Sequence, residues 1–237
     1  MNLDNTISTP LYKQLEERLR KEIENGELPA GSRLPTENEL SERYSVSRVT
    51  VRKALDELSK SGCLVRKPGK GTFIAEQKIQ RGLSGVLDYS DMCRMTGYTP
   101  GAKMIKIALE SPTEEEASQL CLEPGQQVLV VQRVRLANGS PTVLETNKFS
   151  EEFSFLFNED LNDASLYQVI RAHKGIVFTQ SEKMLEIVFA SSQEARYLGI
   201  PKRYPLLSIR SLIQDATGTY RHLGNQLCIA DRFKMIV

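Results

Sequence analysis

Apolar residues recur every fourth position from Leu11 through Leu15 and Leu19 to Ile23, with Tyr12 beside them and Pro10 suited to a first helical turn. This spacing predicts an amphipathic helix, closed by the Gly- and Pro-bearing turn at 26–31. A thinner stripe, Leu40 with Tyr44, follows Pro35, and Thr36 and Glu39 are spaced for a reciprocal capping box. The helix it starts is short, because Tyr44-Ser45-Val46-Ser47 breaks the helical period. Ser47 offers the next N-cap, and Val51, Ala54, Leu55 and Leu58 run at helical spacing toward Gly62, predicting a helix over 47–61. Two short β-prone runs then flank Lys67-Pro68-Gly69-Lys70, a hairpin.

Beyond residue 75 the period changes. Residues 76–82 are polar and nearly aperiodic and read as a linker. Segments 103–109, 127–136, 142–149, 176–187, 206–214 and 220–235 are rich in Val, Ile, Leu and Thr, which predicts about six strands. Helices are expected at 112–120, with Ser111-Thr113-Glu114 resembling a capping box, at 166–172, and at 192–198 before Gly199. Asn138-Gly139 marks a hairpin. The fold class is therefore α+β: a winged helix-turn-helix over 1–75, a linker over 76–82, and an α+β domain with a mainly antiparallel sheet over 83–237.

The net charge of +1 hides a local excess. Between Arg43 and Thr72 stand eight cations, Arg43, Arg48, Arg52, Lys53, Lys60, Arg66, Lys67 and Lys70, against Asp56 and Glu57 alone. The start of the 47–61 helix presents Ser47, Arg48, Thr50, Arg52 and Lys53, donors where a recognition helix meets base edges. Arg48 and Arg52 are the expected readers, since a guanidinium fork fits guanine, whereas Ser, Thr and Lys suit phosphate equally well. A pair of arginines alone reads as a solvated helix face; the basic hairpin that follows makes it a DNA-binding surface.

Pro10-Leu11-Tyr12, Arg33-Leu34-Pro35, the Val46 to Arg52 helix start and the Lys67 to Phe73 hairpin resemble the DNA-binding domain of GntR-type bacterial transcriptional regulators. The resemblance implies base contacts by Arg48 and Arg52, a minor-groove approach by Gly69 or Gly71, and further DNA contacts from Arg33, Thr36, Lys67 and Lys70. Where many members carry Arg before the Glu of the motif's first helix, this chain has Asn38, which keeps a hydrogen-bonding group and loses a charge. Gly97 to Gly101, Arg133 to Pro141, Ser165-Leu166-Tyr167, Glu194 to Ile200 and Asp231-Arg232-Phe233 resemble the UTRA effector-binding domain of the HutC subfamily. That domain shares its fold with chorismate lyase, and the likeness implies metabolite binding and a homodimer on palindromic operator DNA.

Arg133 and Arg135 alternate with Val134, so a strand places both guanidiniums on one face, fit for a phosphate or carboxylate. Glu145 on the next strand either accepts ligand hydroxyls or pairs with one of those arginines. Ser165 and Tyr167 match family ligand contacts near a helix start; equally, they read as an N-cap serine and a packed tyrosine. Tyr89 and Ser90 complete the expected effector site. Two departures, Cys228-Ile229-Ala230 where relatives have Tyr-Arg-Gly and Asp88-Tyr89-Ser90 for Ser-Phe-Ser/Thr, leave the metabolite open beyond small, polar and anionic.

An enzyme of chorismate-lyase-like fold is the rival expectation, but no nucleophile with a base, metal triad or phosphate-binding glycine loop stands in the sequence. A DNA-binding protein indifferent to ligand is another. Cys63, Cys93, Cys121 and Cys228 are scattered, His173 and His222 isolated, so neither zinc nor a disulfide framework is expected, and no cofactor. With no spanning apolar run and no basic, apolar leader at Met1 to Asn5, the expectation is a cytoplasmic chain without membrane contact.

Overall fold

The computed structural model describes residues 9–29, 31–75 and 78–236, and divides into two units, residues 1–77 and 78–237. The N-terminal eight residues, Ala30 in the first turn, and Glu76 and Gln77 in the expected linker lie outside the described residues.

The first unit holds α1 (Leu11–Glu24), α2 (Glu37–Tyr44), α3 (Arg48–Lys60) and the antiparallel hairpin of β1 (Leu64–Lys67) and β2 (Gly71–Ile74). The Thr36–Glu39 capping box forms in both directions, and Ser45, in the left-handed conformation at φ 53°, ends α2 where its stripe runs out. Leu15 and Leu19 from α1, Leu40 from α2, and Val51, Ala54, Leu55 and Leu58 from α3 close on one core, sealed by Leu34, Leu64 and Ile74. Residues 31–34 run along the wing as a third, irregular strand: the Gly31 amide donates to Ile74, the Ile74 amide to Ser32 and the Leu34 amide to Thr72. Beneath α2, buried Glu22 accepts the Tyr44 hydroxyl at 2.8 and 2.9 Å and pairs with Arg18 and Arg43. Burial, then the hydrogen bond to Glu22, pushes the Tyr44 phenol up to about 12.

The second unit is built on a six-stranded, wholly antiparallel sheet in the order β4-β5-β6-β9-β8-β7, formed by β4 (Pro100–Glu110), β5 (Val128–Ala137), β6 (Ser140–Ser150), β7 (Phe178–Phe189), β8 (Pro205–Asp215) and β9 (Arg221–Ile229). Asn138 and Gly139, both at positive φ, make the tight β5–β6 turn. One face carries Leu129, Val131 and Phe149 against α6 (Leu166–Lys174) and a 3-10 helix at Glu151–Asn158. The opposite face packs α5 (Glu114–Leu120) at one end and α7 (Ser192–Leu198) at the other.

Three readings need correction. Residues 79–82 of the expected linker form β3 (Ile79–Gly82), pairing in parallel with the C-terminal β10 (Phe233–Ile236). The expected strand over 220–235 is consequently two, β9 and β10, separated by a 3-10 turn at Ala230–Arg232. The α5 capping box joins Thr113 to Glu116, three residues on, not to Glu114. A helix that the pattern did not announce, α4 (Tyr89–Met95), packs its Tyr89, Met92 and Cys93 with Ile79, Val143, Cys228 and Phe233. Among the described residues, no helix is long and apolar enough to cross a membrane, and no three His, Cys, Asp or Glu side chains gather as a metal site.

Candidate functional site

On the first unit, Ser47 caps α3 by accepting from the Thr50 amide at 3.2 Å, and the two hydroxyls meet at 2.9 Å. This cap holds the exposed Arg48 at the helix tip. Arg52, also exposed, donates to Glu37 at 3.0 Å, so one expected reader is held by a carboxylate from α2. The Lys53 ammonium lies 3.9 Å from the centroid of the Tyr12 ring and that of Lys67 4.6 Å from that of Phe73, each a cation–π contact at an exposed residue. Arg33 lies against the wing: a Cβ at Gly71 would stand 3.0 Å from its Nε, and Gly71 and Gly69 are both at positive φ. Thr36, Asn38, Gly69 and Lys70 are exposed, as a DNA contact requires. Arg43, Lys60 and Arg66 spend their charge on Glu22, Glu57 and Asp56. The sequence reading passed over Val49, 78% exposed one residue after Arg48; its signal is an apolar residue on the polar arc of the helix.

On the second unit, the structure gathers all seven expected effector residues around one face of β5 and β6. Arg133 and Arg135, 1% and 2% exposed, both donate to the carbonyl of Ala164, at 3.0 and 3.3 Å. Arg133 also pairs with Glu145 at 2.7 Å, the second of the two alternatives for that carboxylate. Burial alone would raise the Glu145 carboxyl; Arg133 and Arg135, with hydrogen bonds from Arg133 and Gln226, overcome it and hold it down at about 2. Arg135 donates to Ser90 at 2.9 Å and sits 4.6 Å over the Tyr89 ring, and Tyr89 meets Thr142 at 2.6 Å. Ser165 caps α6 through the Gln168 amide and donates to Asp88 at 2.5 Å. Tyr167 meets His222 Nε2 at 3.1 Å.

The sequence reading missed the other half of this neighbourhood. Arg81 of β3, nearly buried, donates to Gln226, whose amide donates on to Glu145 at 3.0 Å. A cleft beside this relay, with a free interior of about 30 Å3, is bordered by Arg81, Asn147, Tyr167, Lys183, Ser211 and Gln226. Lys183 donates to the carbonyls of Leu83 at 2.7 Å and Gly85 at 2.5 Å, fastening the 83–87 segment over the cleft. Three cations, Arg81, Arg133 and Arg135, thus gather with two carboxylates, Glu145 and Asp88. The Nε atoms of Arg133 and Arg135 are buried without a hydrogen-bond partner.

Comparison with known proteins bears on both units. The profile of the bacterial regulatory proteins of the gntR family matches residues 11–74, and that of the UTRA domain matches residues 95–234. The chain belongs to the GntR family. This GntR-family, UTRA-containing chain is similar over its whole length to the HTH-type transcriptional repressor NagR of Bacillus subtilis (strain 168), 33% identical over 236 residues that make up 100% of this chain and 97% of the relative. It is 30% identical to the histidine utilization repressor of Pseudomonas putida over 202 residues, 85% of this chain and 81% of the relative. Among solved structures, PhnF from Mycobacterium smegmatis superposes with a TM-score of 0.73 at 27% identity, covering 93% of this chain and 96% of the other. As a GntR-family member with a UTRA domain, the chain is a DNA-binding transcriptional regulator and not an enzyme, and its second unit is an effector-binding domain.

Proposed function

We propose that this regulator is a cytoplasmic repressor that binds a palindromic operator as a homodimer and releases it when a small anionic metabolite occupies the second unit. The observation that carries the anionic reading is the charge balance of the arginine face, three cations, Arg81, Arg133 and Arg135, to two carboxylates, with two guanidinium Nε donors unspent. Burying surplus cations costs free energy that an anion offsets. The anion is held by Arg133 and Arg135 with Ser90, Ser165 and Tyr167, and the remainder of the metabolite lies toward Glu145 and Tyr89.

The narrow cleft supplies the coupling. An interior of about 30 Å3 is far below the several hundred Å3 of an ordinary metabolite pocket, so occupation requires the 83–87 segment to yield. The open and closed arrangements then differ in ligand affinity, as a switch requires. On the DNA side, Arg48 and Arg52 read guanine, Val49 meets a thymine methyl, and Arg33, Thr36, Asn38, Ser47, Thr50, Lys53, Lys67 and Lys70 position the duplex, with Gly69 and Gly71 giving the wing its close approach.

The test is operator binding of the full chain, followed by fluorescence anisotropy, against inorganic phosphate, sugar phosphates, amino acids and dicarboxylates. At least one anion should weaken operator binding at least about tenfold and raise the Tm. If anions raise the Tm without changing DNA affinity, the switch fails; if only neutral compounds act, the anion site fails.

A further inference from the structure

On the face of the sheet that carries α6, one rung departs from the apolar pattern beside it. Asn147, Gly224, Ser211 and Lys183 stand directly opposed across β6, β9, β8 and β7, a polar row that borders the cleft together with Arg81. Asn147 is 3% exposed, and its amide nitrogen finds no hydrogen-bond partner among the described residues. A buried donor left open costs free energy until something accepts from it. Gly224 leaves the floor of the row open: a Cβ there would stand 3.3 Å from Ile213 Cδ1 and 3.6 Å from Asn147 Oδ1. Two cations border the row. Arg81 donates to Gln226 and Lys183 to the carbonyls of Leu83 and Gly85, and neither forms an ion pair among the described residues. Burial, and then the charge of Arg81, pull the Lys183 ammonium down, as expected of two cations that share one cleft. An ammonium has three donors, and Lys183 has spent two of them on carbonyls.

We propose that this cleft is a second anion subsite, built for a carboxylate, and that the effector carries two anionic groups, one at each end. The inference rests on the anionic reading of the effector and adds to it a second charged end. Arg133 and Arg135 hold one end; Arg81, Lys183 and Asn147 hold the other, each with a donor to offer. A carboxylate suits the space better than the bulkier phosphate, because a free interior of about 30 Å3 admits little more than one oxygen-sized group. The relay of Glu145 and Gln226 occupies the neighbouring rung, so the two ends lie at least two residues apart along a strand, about 7 Å. The middle of the metabolite then passes Glu145. Filling the far end also has a mechanical consequence. A carboxylate that accepts from Lys183 competes with the Leu83 and Gly85 carbonyls, leaving Ser181 to hold Gly85. The second charge is thus the one that loosens residues 83–87, and a monoanion occupies the first end without doing so.

The experiment uses the full chain and matched probes that differ in the second charge: succinate, glutarate and adipate, each against its own monoamide, and 3-phosphoglycerate against glycerol 3-phosphate. Thermal melting and operator anisotropy are read together. In at least one pair the two-ended anion should act at a concentration at least about tenfold below its partner, and it alone should release operator. Asn147→Asp sets a like charge against the carboxylate, and Lys183→Met removes a donor. Each should erase that advantage while leaving the effect of the one-ended partner on the Tm in place. The comparison of probes on the wild type needs neither variant to fold. Pairs that act alike on the wild type, or an advantage that survives in both folded variants, overturn the second subsite and leave the anionic effector standing on Arg133 and Arg135. If no member of any pair moves the Tm, the anionic reading falls and this inference falls with it.

Discussion

Arg52, proposed above as a base reader, already has a partner. Its ion pair with Glu37 is exposed and so contributes little to stability, but in the proposed role operator binding exchanges that carboxylate for a base. Glu37→Gln is therefore expected to raise affinity for random DNA by a few-fold more than for operator, narrowing their ratio in anisotropy titrations; equal gains on both would mean that Arg52 does not discriminate. In the effector domain the two arginines call for different tests. Arg133→Ala would strand buried Glu145, at a cost of roughly 3–5 kcal/mol, and so confound folding with ligand binding. Arg135 acts on Glu145 through space and forms no direct ion pair among the described residues, so Arg135→Lys, which keeps the charge, should remove the anion response while the Tm of the ligand-free chain changes by only a few degrees. His222, fully buried against Phe149, is pushed down to about 4 by burial. Its unfolded value lies near 6.5, so the fold favours the neutral ring. The resulting stabilisation is whole above pH 6.5 and is lost as pH falls toward 4, on the order of 3 kcal/mol. Urea midpoints across that window should flatten in His222→Gln; an unchanged slope would show that other groups carry the acid sensitivity.

The elements show where sequence reading succeeds and why it stops. Helix starts at Thr36 and Ser47 were legible because a cap is three or four residues long, and the β5–β6 turn because Asn138 and Gly139 are the two residues it needs. The strand β3 was not, because its partner β10 stands at the far end of the chain and a parallel pair leaves no local turn signal. Alternating Ile79 and Arg81, both inward, with exposed Gln80 looks polar until that partner is present. For the same reason the arginine pair on β5 was legible and its neighbours were not. Arg81, Lys183 and Gln226 come from three other strands, and no spacing connects them. Deleting the last five residues is expected to strip β3 of its partner and expose Ile79, lowering the thermal transition of the effector domain while leaving that of the DNA-binding domain in place. Calorimetry separates this outcome from one in which both transitions fall.

At the scale of the whole molecule, composition misleads. A chain of net charge +1 resembles an electrostatically neutral protein, yet its carboxylates are placed to neutralise Arg43, Arg52, Lys60 and Arg66 and not the wing tip. Lys70 makes no ion pair among the described residues. Lys70→Ala should accordingly weaken operator and random DNA alike, reducing the slope of log affinity against log salt by about one per protomer, whereas Arg48→Ala should fall mainly on operator. A Lys70 variant that lost discrimination instead would move the wing from backbone to base readout.

The pairing of β3 with β10 also sets an order of events during synthesis. Every strand and helix of the DNA-binding unit has emerged by Ile74, so that unit can fold early, but the effector domain cannot seat its own first strand until residues 233–236 leave the ribosome. A newborn chain thus acquires its DNA-binding unit before its effector-binding one. Stalling translation near Ala230 is expected to leave a protease-resistant DNA-binding unit beside an effector domain that is still digestible, and equal resistance of the two would show that β3 does not wait for its partner.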